Sequence, residues 1–210
     1  MKSLRARPLA WLGGVGVLVL AGAVFAATVQ RLDFAGLTHL ATHVVTGRVV
    51  SSAPAWTPDG GAVVTLHELV VAGQWKGEPV GATLTVRTPG GRMADYTMEL
   101  PGAPELAAGD TVLLFLERNE DATFGVISLA QGSYRVVAAP GGTFVVTRDP
   151  GAAQLLAVGP DGTGKLGEVQ ETLAAVRSQV DAAIAAERAG LDQPGIDAVP
   201  LHDVVEGGGR

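Results

Sequence analysis

The chain has 210 residues, 47% hydrophobic and 17% charged, with a formal net charge of −6 and no cysteine. That is enough for one globular domain with a real core and some additional segments. The acidic balance excludes the Lys/Arg footprint on which nucleic-acid affinity rests, and without cysteine the core rather than disulfides must supply stability.

Residues 1–26 read as a signal peptide. Lys2, Arg5 and Arg7 form a basic start, residues 9–25 are apolar and uncharged, and Val24-Phe25-Ala26 ends in the small residue that a signal peptidase requires. Cleavage is expected after Ala26, giving a secreted or periplasmic protein. Loss of the three basic residues takes the formal charge from −6 to −9. An uncleaved anchor is the alternative and the one route to a membrane, because about 17 apolar residues is the short edge of a bilayer span. No cysteine is present to carry a lipid.

Beyond the leader, Phe34, Leu37, Leu40 and Ala41 have the spacing of a short amphipathic helix, with Asp33 as its N-cap. Three β-rich runs follow, at 44–51, 62–72 and 82–88. Turn-rich loops around Pro58-Asp59-Gly60-Gly61 and Lys76-Gly77-Glu78-Pro79 separate them, so an antiparallel meander is expected. Gly47 marks a bulge or bend in the first run. The second run is apolar on both faces, as in a curved strand that serves a small barrel. A weaker strand is expected at 95–100, a firmly buried one at 111–118 (TVLLFLER, with Leu113 and Phe115 in the barrel core), and further strands at 124–129, 133–138 and 143–148. Residues 151–166 read as a linker loop. From 167 to 190 the period becomes helical, with Val169, Leu173, Val176, Val180 and Ile184 forming one stripe. The tail at 191–210, rich in Pro and Gly, reads as disordered.

The segments LTHLATHVVTGRVVSS, ELVVAGQWKG, TPGG, GDTVLLFLER and QGSYRVV together resemble a group of secreted bacterial proteins with an OB-like β-barrel. That barrel is similar to the one in tissue inhibitors of metalloproteinases and netrin modules. The resemblance covers residues 33–148 and implies a β-barrel and a role in binding or inhibiting an extracellular protease. Those animal inhibitors reach the protease zinc through an N-terminal cysteine, which has no counterpart in Ala27-Thr28-Val29.

Several motifs invite chemistry. Residues 159–165 (GPDGTGK) fit a phosphate-binding loop before a helix, but Leu166 stands where Ser or Thr would hold Mg²⁺; a plain Gly/Asp loop is the simpler expectation. His39 and His43 lie four apart, with His67 as a third candidate metal ligand, yet no HExxH is present and no metal or other cofactor is expected. There is no G-x-S-x-G and no cysteine nucleophile, and Glu117, Glu120 and Asp121 fit a solvated strand end and turn. The remaining signal is aromatic. Trp56 lies between Pro54 and Pro58 in a loop expected at 52–61, and Trp75 closes the second strand. OB-like barrels bind ligands with such loops, so Trp56, Pro58, Asp59 and Trp75 are the candidate ligand-binding residues, with a core-capping role the alternative for the two tryptophans.

The sequence therefore predicts a mostly β fold: one OB-like barrel at 27–150, a short N-terminal helix, and a long C-terminal amphipathic helix at 167–190 packed on the barrel. The expected function is an exported, non-enzymatic binding module with a protein partner, either an extracellular protease or an envelope protein. The alternatives are a structural scaffold of the bacterial envelope and a hydrolase with a hidden site.

Overall fold

The computed structural model describes residues 28–159 and 162–190. The leader at 1–26 and the tail at 191–210 lie outside the described residues. Strand β1 (Thr28–Gln30) leads to helix α1 (Phe34–Leu40), where the Asp33 carboxylate accepts the Gly36 N–H at 2.8 Å as the N-cap. The helix buries Phe34, Leu37 and Thr38. Two 14-residue strands follow, β2 (His43–Trp56) and β3 (Val63–Lys76), and then β4 (Thr83–Pro89).

The single weak strand expected at 95–100 is instead a hairpin of β5 (Gly91–Met93) and β6 (Tyr96–Met98), turned at Ala94 with φ 49°. Strands β7 (Thr111–Arg118), β8 (Phe124–Val126), β9 (Ser133–Ala138) and β10 (Phe144–Arg148) complete the meander. Pairing runs from β7 to β2, β3 and β4, then in parallel to β8, which pairs antiparallel with β7 and closes a five-stranded ring. The mostly β, OB-like barrel with a short helix before it and a longer one after it is the fold observed.

Residues 151–166 are not an open loop. They hold β11 (Leu156–Gly159) and β12 (Gly162–Lys165), paired antiparallel, with β1 parallel on the other edge of β11. The reason is burial: Leu155, Ala157 and Leu166 form a small core with Ala130 and Ala152. Next, β13 (Gln170–Thr172) pairs with β10, so helix α2 (Leu173–Arg188) begins later than the sequence period suggests. Thr172 caps it, accepting the Ala175 N–H at 3.1 Å.

Two larger cores lie on opposite sides of the sheet. Val45, Leu69, Val86, Leu114 and Phe124, one from each ring strand, fill the barrel interior. Outside the barrel, Phe34, Leu37, Leu113, Phe115, Tyr134, Val176 and Val180 pack under α1 and α2. Leu113 and Phe115 are thus fully buried, but beneath the helices rather than inside the barrel. The strand alternates between two apolar layers, so Val112, Leu114 and Leu116 take the interior positions.

Strand β2 outruns the barrel. It pairs with β7 only through Arg48, while its pairing with β3 continues to Trp56 opposite Val63. Pro54 is tolerated because this stretch has β3 alone as a partner, leaving an open edge where a missing N–H goes unnoticed. Register shifts at Val44/Val45, Thr46/Gly47 and Val49/Ser51 bend the strand from barrel into arm.

Candidate functional site

The arm formed by residues 51–56 and 63–68, the end of β4, the β5–β6 hairpin and the segment 99–106 enclose a cleft of about 710 Å³. At its floor three polar side chains join. Ser52 and His67 are cross-strand partners, and Thr88 lies diagonal to His67 on the next strand. Ser52 Oγ is 2.8 Å from His67 Nδ1, and Thr88 Oγ1 is 3.0 Å from His67 Nε2. His67 shares the β3 face of Leu69 at the barrel mouth and is only 4% exposed. Desolvation pulls its pKa from 6.5 down to about 4, so the imidazole is neutral at pH 7.

Counting donors assigns the ring proton. A neutral imidazole donates from one nitrogen and accepts at the other. If Nε2 donated to Thr88, the threonine hydroxyl proton would be left without an acceptor in a position 3% exposed. That costs about 1–3 kcal/mol. If Thr88 donates to Nε2, then Nδ1–H donates to Ser52 Oγ, and the proton left over belongs to the exposed serine. There it can meet solvent, a ligand, or the Leu106 carbonyl 3.5 Å away. The chain therefore runs from Thr88 through His67 to Ser52, with the serine hydroxyl as its outward donor. In this arrangement His67 does not withdraw the serine proton, and no carboxylate among the described residues is hydrogen-bonded to its ring.

A buried carboxylate fixes the far wall. Asp149 accepts from the Glu105 N–H at 3.0 and 3.2 Å, from Gly151 N–H at 2.8 Å and from Ser133 Oγ at 2.9 Å. Burial raises its pKa, and these donors offset part of that rise. The 99–106 segment is thereby tied to β9 and β10.

At the tips of the arm and the β5–β6 hairpin, Trp56 packs on Tyr96, ring centroids 5.2 Å apart and planes tilted by 36°. Both are nearly half exposed, 45% and 47%. Trp56 thus ends a strand rather than sitting mid-loop, and the loop shrinks to residues 57–62. Pro58 and Asp59 lie exposed in it. The Asp59 carboxylate accepts the Gly61 N–H at 3.2 Å, and its hydrogen bond with Thr57 is the main cause that lowers its pKa. Asp59 shapes the turn that presents Trp56.

Trp75 is not part of this group. It lies at the other end of β3, half-buried against the helix-side core, with the Arg177 guanidinium 5.1 Å above its ring. The histidines are dispersed as well. His39 faces Glu187 at 3.4 Å, and His43 is buried in β2 with Nδ1 2.9 Å from Thr42 Oγ1. Among the described residues no group of three or more His, Asp or Glu is placed to hold a metal ion. The stretch 159–165 lies on the β11–β12 hairpin, where Lys165 pairs with Leu156, and not at a helix N-terminus; residues 160–161 are outside the described residues. Among the described residues no helix is long and apolar enough to cross a membrane. Compared with known proteins, the chain matches no protein-family model and no curated sequence.

Proposed function

We propose that this chain is an exported binding module without enzymatic activity, and that it recognises a protein partner through the Trp56–Tyr96 pair and the cleft on the same arm and hairpin. The mutually packed, half-exposed aromatic pair at the tips of two hairpins carries this reading. Tryptophan and tyrosine offer large contact area at low entropic cost and are enriched among binding hot spots. Each ring is held by the other, so little order remains to be imposed on binding. The donor count at His67 weighs against a hydrolase, because Ser52 receives a hydrogen bond from the imidazole instead of giving up its proton to it. The N-terminal order of basic, apolar and small residues supports export.

The resemblance to tissue inhibitors of metalloproteinases makes an extracellular protease the first partner class to test. With no cysteine to reach a zinc, such inhibition works by covering the protease surface. The test is binding of purified extracellular proteases to wild-type protein and to Trp56→Ala. The variant is expected to weaken affinity by about 2 kcal/mol or more while the melting temperature stays nearly unchanged. Lost stability with unchanged affinity would make Trp56 a structural lid. Binding of envelope proteins but of no protease would turn the assignment to a scaffold.

A further inference from the structure

We infer that the cleft takes an extended peptide segment of the partner that carries a lysine or arginine side chain. This rests on the binding-module reading above and names the chemistry of what is bound.

Four observations converge. A cleft of about 710 Å³ is within the range that takes a ligand of several residues, far more than an ion needs. Its floor presents the Ser52 hydroxyl as an outward donor, polarised by the hydrogen bonds behind it, and a peptide carbonyl is a matching acceptor. Its walls include Met98, Leu100 and Leu106, which suit the apolar parts of an extended chain. Glu99 and Glu105 also line it, whereas no lysine or arginine does. Neither glutamate forms an ion pair with a described residue. The neutral His67 cancels none of their charge, and the Asp149 hydrogen bonds hold the Glu105 backbone in place. A basic side chain would therefore meet two carboxylates with no cation to repel it, while an acidic one would be excluded. A small free cation could use the carboxylates but neither the serine donor nor the apolar walls.

The experiment measures fluorescence polarisation of dye-labelled octapeptide pools with the full chain. The pools are alanine/proline-based and carry arginine, citrulline or glutamate at the central position, and arginine amide serves as a free competitor. The arginine pool is expected to bind at least about tenfold more tightly than the citrulline pool, with no binding of the glutamate pool. Glu99→Gln combined with Glu105→Gln is expected to erase that preference. Ser52→Ala is expected to weaken the arginine and citrulline pools alike, because it removes the carbonyl donor and not the charge. Equal binding of all three pools, or a preference that survives the double glutamine variant, overturns the inference. So does arginine amide that competes as well as the peptide, since it assigns the site to a small cation. If Trp56→Ala abolishes partner binding while the glutamine variant leaves it intact, the binding-module reading stands and this inference fails. If the arginine pool binds as described but Trp56→Ala affects no partner, the cleft inference stands and the assignment of recognition to the Trp56–Tyr96 pair fails.

Discussion

Acidification should destabilise the native state through His67, by an amount that can be worked from its surroundings. The unfolded chain takes up a proton near pH 6.5, whereas desolvation holds the folded imidazole neutral down to about 4. The unfolded state therefore binds more protons between these values. Stability is complete above about pH 6.5 and declines as the pH falls toward 4. A shift of this size corresponds to about 3 kcal/mol, and solvent reaching through the open cleft reduces that to about 2 kcal/mol. The structural cause is specific. Protonation makes Nε2 a donor, Thr88 Oγ1 must then accept, and the threonine proton is stranded in a position 3% exposed. Urea unfolding from about pH 7.5 to about pH 4.5, on wild type and on His67→Gln, isolates the effect. Glutamine offers an acceptor and a donor but does not titrate. His43, whose pKa burial also lowers, is present in both proteins and cancels. Wild type is expected to lose about 2 kcal/mol more than the variant over this range. Parallel pH curves would refute the reasoning. Imidazole ¹⁵N shifts showing the proton on Nε2 at neutral pH would refute the donor count.

Two packing predictions are independent of the cleft. Phe115→Ala removes a fully buried ring that packs against both Phe34 and Tyr134, and should cost about 3–5 kcal/mol in urea unfolding; an unchanged melting temperature would mean that α1 and α2 do not clamp this face. Gly47→Ala would place a methyl 2.5 Å from the Val70 carbonyl oxygen and 2.9 Å from Leu69 Cγ. It should cost about 1–3 kcal/mol by overpacking, and wild-type stability in this variant would show that the β2–β3 pair yields at its bulge.

Alternation of Val, Leu and Thr with Gly/Pro breaks made the barrel legible, because strand period and turn chemistry are local properties. TVLLFLER marks its strand to the residue for that reason, bounded by Gly109-Asp110 and by the charged end at Glu117-Arg118. Which layer its side chains enter was not legible. Both faces are apolar, and only the docking of α1 and α2 separates Phe115 from Leu114. The sequence marks Trp56 as a candidate contact residue in a loop, and Pro54 obscures the continuation of the strand to it. A loop drawn at 52–61 hides the polar chain as well. Once the loop is residues 57–62, positions equidistant from it face each other, and Ser52 falls opposite His67. Tyr96 carries no signal in the sequence, since its packing on Trp56 depends on how a separate hairpin folds over the arm. The β11–β12 hairpin is not legible in the sequence because its Gly-rich composition reads as loop, and its partner strand β1 lies far from it along the chain.

That last pairing governs the order in which the molecule can complete itself. Thr28 sits beside Leu156, so closing the β1–β11 contact spans roughly 130 residues, whereas the β2–β3 hairpin closes across six. Chain entropy favours the hairpin first and the terminal strand last. Leu32 N–H donating to Gln131 Oε1, and Gln131 Nε2 donating to the Gln30 carbonyl, then lock the entry to α1 onto a side chain with no solvent exposure. Contacts made after the folding barrier do little for the rate of folding but slow unfolding. The short strand β1 thus completes the small sheet with β11 and β12 as a late contact, one expected to slow the opening of that sheet rather than to speed its formation.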